Sequence, residues 1–460
     1  MSATSTLAAT RFGTGLSPTV PPPSDAAAIL SRLAGPDTSA AKWPIPTYSA
    51  AHPNLVEMNT LLRAVHAARG QGHAAEAAAR LPLRDAYVKA RALRAATLQA
   101  TLVRGAAGDD GFRERLTWFW ADHFTTRAKN GKLQHLVTPY VEETIRPNMA
   151  GSFASLLRAV VTAPMMLMYL DQVSSIGPDS PVGRRSDKGL NENLARELME
   201  LHTLGVDAGY TQDDVREMAQ LLTGLSYTAE RGFFYAPARA EPGAETVMGV
   251  TYGAASNLAT VYKAIDDLAV HPATAHHIST KLARHFVADD PDPALVAAMV
   301  AAFIASDGDL PSVYAAMLDH PASWVMPAQK VKRPLHFVVS ALRALEVAPE
   351  RLLALDYRLT QRLVVVPMGI MGQAWEQPTG PNGWPDEAAA WLTAQGIAAR
   401  INWSMQVPAQ LRDVLPDPRD FATVALGPDI PDTVRFAAAA AETRADGVAL
   451  VLLSPAFQRS

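Results

Sequence analysis

In the stretch NENLARELMELHTLG, Asn193, Glu197 and Glu200 recur at three- and four-residue spacing. At about 100° per residue they share, with Leu204, one helical stripe about 60° wide. Leu194, Leu198 and Leu201 form the adjacent apolar stripe, which must face a core. Carboxylates one turn apart can ligate a divalent metal, divide acid and base duties when their proton affinities are pushed apart, or hold an arginine. A solvated acidic face, paired with Arg196 or with Arg216 across a hairpin, uses the same spacing. His202 lies two residues beyond Glu200 and so points to the other side of the helix. A zincin-like metal set needs two His at i and i+4, and His202 is read as a hydrogen-bonded structural residue.

A second group sits in FRERLTWFWADHFTTR. Phe112, Leu116, Phe119 and His123 share a face, and Trp118, Trp120 and Phe124 cover much of the rest. A helix apolar nearly all round is buried, so His123 needs a carboxylate, a carbonyl or a metal for its ring nitrogens. Asp122 adjoins it as a proton-transfer or orienting partner. Weaker signals follow. His276 and His277 point about 100° apart on a helix with His285. Arg184 and Arg185, with Lys188, give a polar loop a positive tip suited to an anion. Trp384, in PNGWPD, offers an indole for stacking on a sugar or for wedging beneath its own loop.

The elements that must position these groups are helices. Helical periodicity runs through 54–69, 83–106, 111–124, 136–146, 152–162, 190–204 and 212–223. It resumes over 255–270, 272–287, 293–306, 309–319, 331–346, 386–407 and 431–453. Asn191 serves as an N-cap, and Thr211 with Asp214 forms a capping pair. Period-two alternation is confined to Phe233–Ala236 and Glu245–Val250, which could pair as one ribbon. The expected fold is all-α and multi-helix, in two helical lobes, with at most a short β-ribbon near 233–250. The expected parts are an extended Pro-rich entry segment (1–53), an N-terminal lobe (54–227), a connecting segment (228–254) and a C-terminal lobe (255–460). A polar loop at 172–189 stands before the Asn193 helix as a candidate lid.

Composition narrows the chemistry. The 460 residues are 48% hydrophobic and 19% charged with a net charge of −4, which suits a packed protein and disfavours nucleic acid as a partner. There is no cysteine, so any metal would take His, carboxylate, amide or carbonyl ligands. No G-x-S-x-G elbow and no glycine-rich nicotinamide or flavin motif is present. Leu156 to Leu170 is too short and interrupted to span a bilayer. With no signal peptide legible at the N-terminus, the expectation is a soluble, cytoplasmic protein.

The blocks WFWADHF, GLNENLARELMELHTLGVDAGYTQDDVREMAQLLTG, HPATAHHISTKLARHFVADDP, KVKRPLHFVVSALRAL, GPNGWPDEAAAWL and LLLSPAFQ resemble, in order, the motifs of a bacterial family called domain of unknown function 1800. The resemblance runs from about Arg11 to the end. It implies, as a partner, a protein of the domain of unknown function 1501 family, whose fold is similar to phosphatases and sulfatases. Many such partners carry twin-arginine export signals. The family pattern has His where this chain has Ala121 and Ala240, Asn at Asp122, Asp at Glu241 and Lys at Glu245. Two imidazoles of the pattern are therefore missing.

These readings converge on a hydrolase- or lyase-type enzyme with a carboxylate/His pocket, with a divalent metal as the cofactor its donors would admit. Glu197, Glu200, His123 and Asp122 are the catalytic candidates. Asn193, Arg196, Arg184, Arg185 and Trp384 are the substrate-binding candidates. The alternative is a non-catalytic binding or assembly partner of the phosphatase-like neighbour.

Overall fold

The computed structural model describes residues 2–185, 189–253 and 257–460. The chain is mostly α-helical, and its only described sheets are two two-stranded ribbons. Side-chain caps set many helix starts. Thr47 accepts from the Ala50 N–H at 3.2 Å, Asp110 from Arg113 at 3.0 Å, and Thr211 with Asp214 closes the expected capping box.

Several boundaries differ from the periodicity, and each has a local cause. The entry segment carries helices where extended chain was expected: Ala26–Ala34 and Thr38–Lys42 are capped by Asp25 and Asp37. The next two helices, Tyr48–Ala68 and His73–Ala107, run through Pro53 and Pro82 rather than starting after them. At Pro82 the carbonyl that loses its partner belongs to Ala78, an exposed residue, so water can replace the bond. The expected 431–453 helix is two, Asp432–Ala440 and Arg444–Leu453, because Thr443 caps the second at Asp446 N. The 386–407 stretch likewise divides into a 3-10 turn, Ala388–Trp391, and a helix, Ala394–Gln406, capped by Thr393. Within 190–204, Asn193–Glu197 is α-helical and Leu198–His202 a π-helical turn, closed by the Thr203 hydroxyl donating to the Leu198 carbonyl at 2.6 Å. Glu192 occupies the cap position, and the Asn191 side chain accepts from Asn193 N.

The ribbon pairing is also local. Leu225–Thr228 pairs with Gly232–Tyr235, and Glu245–Val247 with Val250–Tyr252, so the expected 233–236 and 245–250 segments belong to different hairpins. Left-handed backbone at Gly232 in one, and at Met248 and Gly249 in the other, turns each strand back on its own neighbour.

Two large clusters of buried side chains fill the interior. The first gathers the Gly111–His123, Phe153–Val161, Gln212–Leu221, Leu258–Ala269, Pro272–Phe286, Pro293–Ala305 and Leu310–Asp319 helices, centred on Trp120, Phe124 and Phe286. The second joins Leu98, Leu102 and Val103 to the Pro334–Ala344, Ala394–Gln406, Pro418–Leu426 and Arg444–Leu453 helices. Every residue of Pro334–Ala344 is buried. Its Arg343 donates to the carbonyls of Gly15, Ala106 and Gly108, and its Ser340 hydroxyl to that of Thr14. No described helix is long and apolar enough to cross a membrane.

The 172–185 loop is tied down along its length. Gly177 N donates to Arg239 O at 2.9 Å, Val182 N to Ala238 O at 3.1 Å and Asp179 N to Glu241 at 3.0 Å, while Arg239 donates to the Val173 and Ser175 carbonyls. Ser175 and Ser180 are buried. This part of the loop is a packed connection, not the free lid its composition suggested. Lys188, part of the expected positive tip, lies outside the described residues.

Candidate functional site

Asp122, one residue before the end of the Gly111–His123 helix, is the meeting point of two hollows. On one side is an open cleft of about 870 Å³, lined by His123, Leu204–Ala208, the Pro272–Phe286 helix and residues 382–387. On the other is an inner chamber of about 160 Å³, lined by Arg115, Thr125, Thr126, Arg333 and Glu376 among others. Asp122, Trp384 and Asp386 line both.

The wall between them is held by one guanidinium. Arg333 donates to Asp122 Oδ2 at 2.6 Å, to Asp386 Oδ1 at 2.5 Å and to the Trp384 carbonyl at 3.2 Å. The Trp384 N–H donates to Asp122 Oδ1 at 2.8 Å. That approach explains the glycine of PNGWPD. Gly383 has φ +73°, and a Cβ there would lie 2.5 Å from Asp122 Oδ1. Asp386 also accepts from His285 Nδ1 at 2.9 Å, and its backbone carbonyl from Lys330 at 2.6 Å. Arg115, fully enclosed, reaches His285 Nε2 at 3.4 Å and His336 Nδ1 at 3.1 Å.

These contacts push the two carboxylates apart. Burial raises Asp122, and neither Arg333 nor the Trp384 N–H offsets it in full. Asp386 suffers the same desolvation, but Arg333, His285 and Lys330 more than reverse it and hold the carboxyl well below its usual range. Burial lowers His285 to about 3, against the pull of Asp386. The ring is therefore neutral, with Nδ1–H donating to Asp386 and Nε2 facing Arg115.

Three more imidazoles lie under the cleft. His123 and His202 rings are 6.0 Å apart, and His123 and His277 6.2 Å. His123 Nε2 donates to the His202 carbonyl at 3.2 Å, the carbonyl option among the partners its burial demanded. The Nδ1 atoms of His123 and His202 have no partner among the described residues. Burial lowers His202 to about 3, His277 to about 4 and His123 well below the usual value, with Lys281 adding repulsion in each case. Lys281 sits beside them. Burial lowers its own proton affinity against the pull of Asp386 and Asp122.

Of the residues chosen from sequence, the cleft brings together Asp122, His123 and Trp384. Trp384 is half-buried, with its ring 6.3 Å from Trp391. Glu197 and Glu200 are half-buried on their own stripe, Asn193 is exposed, and none of the three lines the cleft. Burial and Glu200 raise Glu197, with Arg196 opposing. Arg196 itself holds Glu192 and Gln212, each at 3.0 Å. Arg184 and Arg185 are exposed at the packed loop, away from both hollows. His202 turns inward, away from Glu200, as the periodicity implied. Among the described residues no three His, Asp or Glu side chains are arranged to hold a metal ion.

Sequence reasoning passed over Arg333, Asp386, Arg115 and Lys281, and read His285 only as one of three scattered histidines. A signal was present: the helical neighbours of Arg115 include Phe112, Trp118 and Phe119, and a charge placed among them needs a purpose.

No curated protein and no solved structure matches the chain. The model of one family, described as "Protein of unknown function (DUF1800)", matches residues 8–459, nearly the whole length. That match spans both cores and takes in Asp122, Lys281, Arg333 and Asp386, and the chain belongs to this family.

Proposed function

We propose that the chain is an enzyme of hydrolytic or lyase type that moves a proton through Asp122 at the cleft wall. One observation carries this reading: two enclosed carboxylates facing the same cleft share a single guanidinium, yet their surroundings push one proton affinity up and the other down. Such a split pair is how a site assigns acid and base duties. Asp122 is the carboxyl that gains and loses a proton. Asp386 stays ionised and orients Arg333 and His285. Glu197 and Glu200 lie outside the cleft and take no part in this step.

Purified protein screened against hydrolase and lyase substrates, with its metal content measured in parallel, tests the proposal. The expected outcome is a turnover that Asp122→Asn lowers by at least about 100-fold while the variant remains folded. A folded protein with no turnover, or with a turnover that Asp122→Asn leaves intact, overturns it.

A second reading, a non-catalytic assembly partner, draws support from Ile397, Ile401 and Met405. These recur at four-residue spacing on the Ala394–Gln406 helix and are all exposed. Coexpression with a phosphatase/sulfatase-like protein encoded nearby, followed by size-exclusion chromatography, decides it.

A further inference from the structure

His276, His277, Thr280, Lys281 and Arg284 all line the cleft from one helix, Pro272–Phe286. At 100° per residue they fall inside an arc of about 140°, so a single face presents two cations and a hydroxyl to the hollow. His277 Nε2 donates to the Leu201 carbonyl at 3.0 Å and His276 is exposed, but Lys281 and Thr280 on the same face have no protein partner among the described residues.

Among the described residues no acceptor lies within hydrogen-bonding or ion-pairing distance of the Lys281 ammonium, and the side chain is half-buried at the cleft. Arg284 donates through Nε to the Asp289 carbonyl at 3.1 Å, and its terminal nitrogens have no described partner. Thr280 Oγ1 is buried and also lacks one.

The nearby carboxylates do not fill the gap. Asp122 and Asp386 are each committed to Arg333. Asp207 and Glu387 line the cleft but are exposed, where water weakens their field, and neither pairs with Lys281 or Arg284. The remaining groups facing Lys281 are the neutral rings of His123, His202 and His277 and the cations Arg284 and Arg333. An ammonium partly withdrawn from water and left without a counter-charge carries a desolvation cost, which an arriving anion offsets.

We propose that the floor of the cleft is an oxyanion subsite, in which Lys281 and Arg284, with Thr280 donating its hydroxyl, hold a carboxylate or phosphate group of the substrate beside Asp122. The inference rests on the cleft being the reaction site, and it adds the substrate class: a molecule bearing an oxyanion. The anchoring group needs a small part of about 870 Å³. The rest of the hollow, flanked by Val206, Asn382, Trp384 and Pro385, is within the size range of small-molecule sites and leaves room for an uncharged body.

Full-length protein is titrated calorimetrically with inorganic phosphate and, separately, with malonate, at constant ionic strength set by chloride. The expected result is saturable binding of at least one, weakened about tenfold or more in both Lys281→Met and Arg284→Gln. The preferred anion identifies which oxyanion the substrate carries. Binding should also take up protons in alkaline buffer, because the anion restores the charge that burial disfavours on Lys281.

Without ligand, Lys281→Met should melt higher than wild type, by about 1–4 °C, since it removes an unpaired charge and no partner. Failure of both anions to bind saturably, or equal binding in Lys281→Met, overturns the proposal. A lower melting temperature for Lys281→Met does so as well, since it marks a structural lysine. Asp122→Asn separates this inference from the proposed reaction. If it leaves turnover intact while anions still bind through Lys281, the acid–base reading falls and the subsite stands.

Discussion

Replacing Arg333 with Met removes a charge and keeps most of the side chain's volume, so the effect reports the ionic contacts rather than a cavity. The guanidinium makes two charge-assisted bonds, at 2.6 Å to Asp122 and 2.5 Å to Asp386, and the three side chains are only 13–15% exposed. Bonds of this kind contribute about 1.5–3 kcal/mol each. Breaking a buried pair by removing one partner costs about 3–5 kcal/mol, because the abandoned charge stays desolvated. Neither carboxylate is left bare, since Trp384 N still donates to Asp122 and His285 to Asp386. The expected loss is therefore about 3–5 kcal/mol, the low end of that range if the residual donors tighten. Urea denaturation followed by far-UV circular dichroism measures it. A thermodynamic cycle with Asp122→Asn isolates the pair. In the Arg333→Met background, neutralising Asp122 should recover about 1–3 kcal/mol. A loss below about 1 kcal/mol, or a cycle in which the two changes simply add, would show that Arg333 does not hold the wall together.

Other outcomes follow from the same geometry. His123, His202, His277, His285 and His336 are all held below the usual imidazole range by burial. Their neutral forms contribute stability that is fully present above about pH 6.5 and is lost as pH falls toward the folded values. Each such ring costs about 1.4 kcal/mol per pH unit in that window, so acid titration should unfold the protein between about pH 6 and 4. A fold intact at pH 4 would contradict it. Glu197→Gln should shift stability by less than about 1 kcal/mol, since no bond to Glu197 is described and Arg196 is engaged elsewhere; a chemical melt checks this. Gly383→Ala should destabilise by about 2–4 kcal/mol and lower turnover with it, because the new methyl meets Asp122 in a backbone conformation unfavourable for alanine. Limited trypsin digestion should spare Arg184 and Arg185 relative to more loosely held sites, because residues 177, 179 and 182 just before them are bonded to 238–241.

Local patterns carried the fold well. The stripe Val215, Met218, Ala219 and Leu222 is buried as its spacing demands, and Gly224 adopts the left-handed backbone expected of a stop. Boundaries went astray where a side-chain cap divided a periodic run, as at Thr443, or where a helix continued through a proline expected to precede its start, as at Pro82. The wall was illegible for a different reason. Periodicity favoured Glu197 and Glu200 because their relation is contained within one helix. Asp122, Arg333 and Asp386 come from three distant segments, and only the packing of the two cores makes them neighbours. What the sequence did show was Trp384 beside a glycine, and the cause is Gly383 giving Asp122 room.

The docking of residues 11–15 bears on how such a chain is made. Arg11 donates to the carbonyls of Ser323 and Val325, and the Thr14 and Gly15 carbonyls receive Ser340 and Arg343. Each contact spans more than 300 residues of sequence. During vectorial synthesis residues 14 and 15 must wait for these partners until the Pro334–Ala344 helix has also emerged. At about 5–20 residues per second that interval is tens of seconds. Over that time the Thr14 and Gly15 carbonyls lack their final partners, and the segment is open to holding factors and to premature aggregation. Its seating is then a late event in assembly, and closing so long a loop makes it slow to repeat once lost.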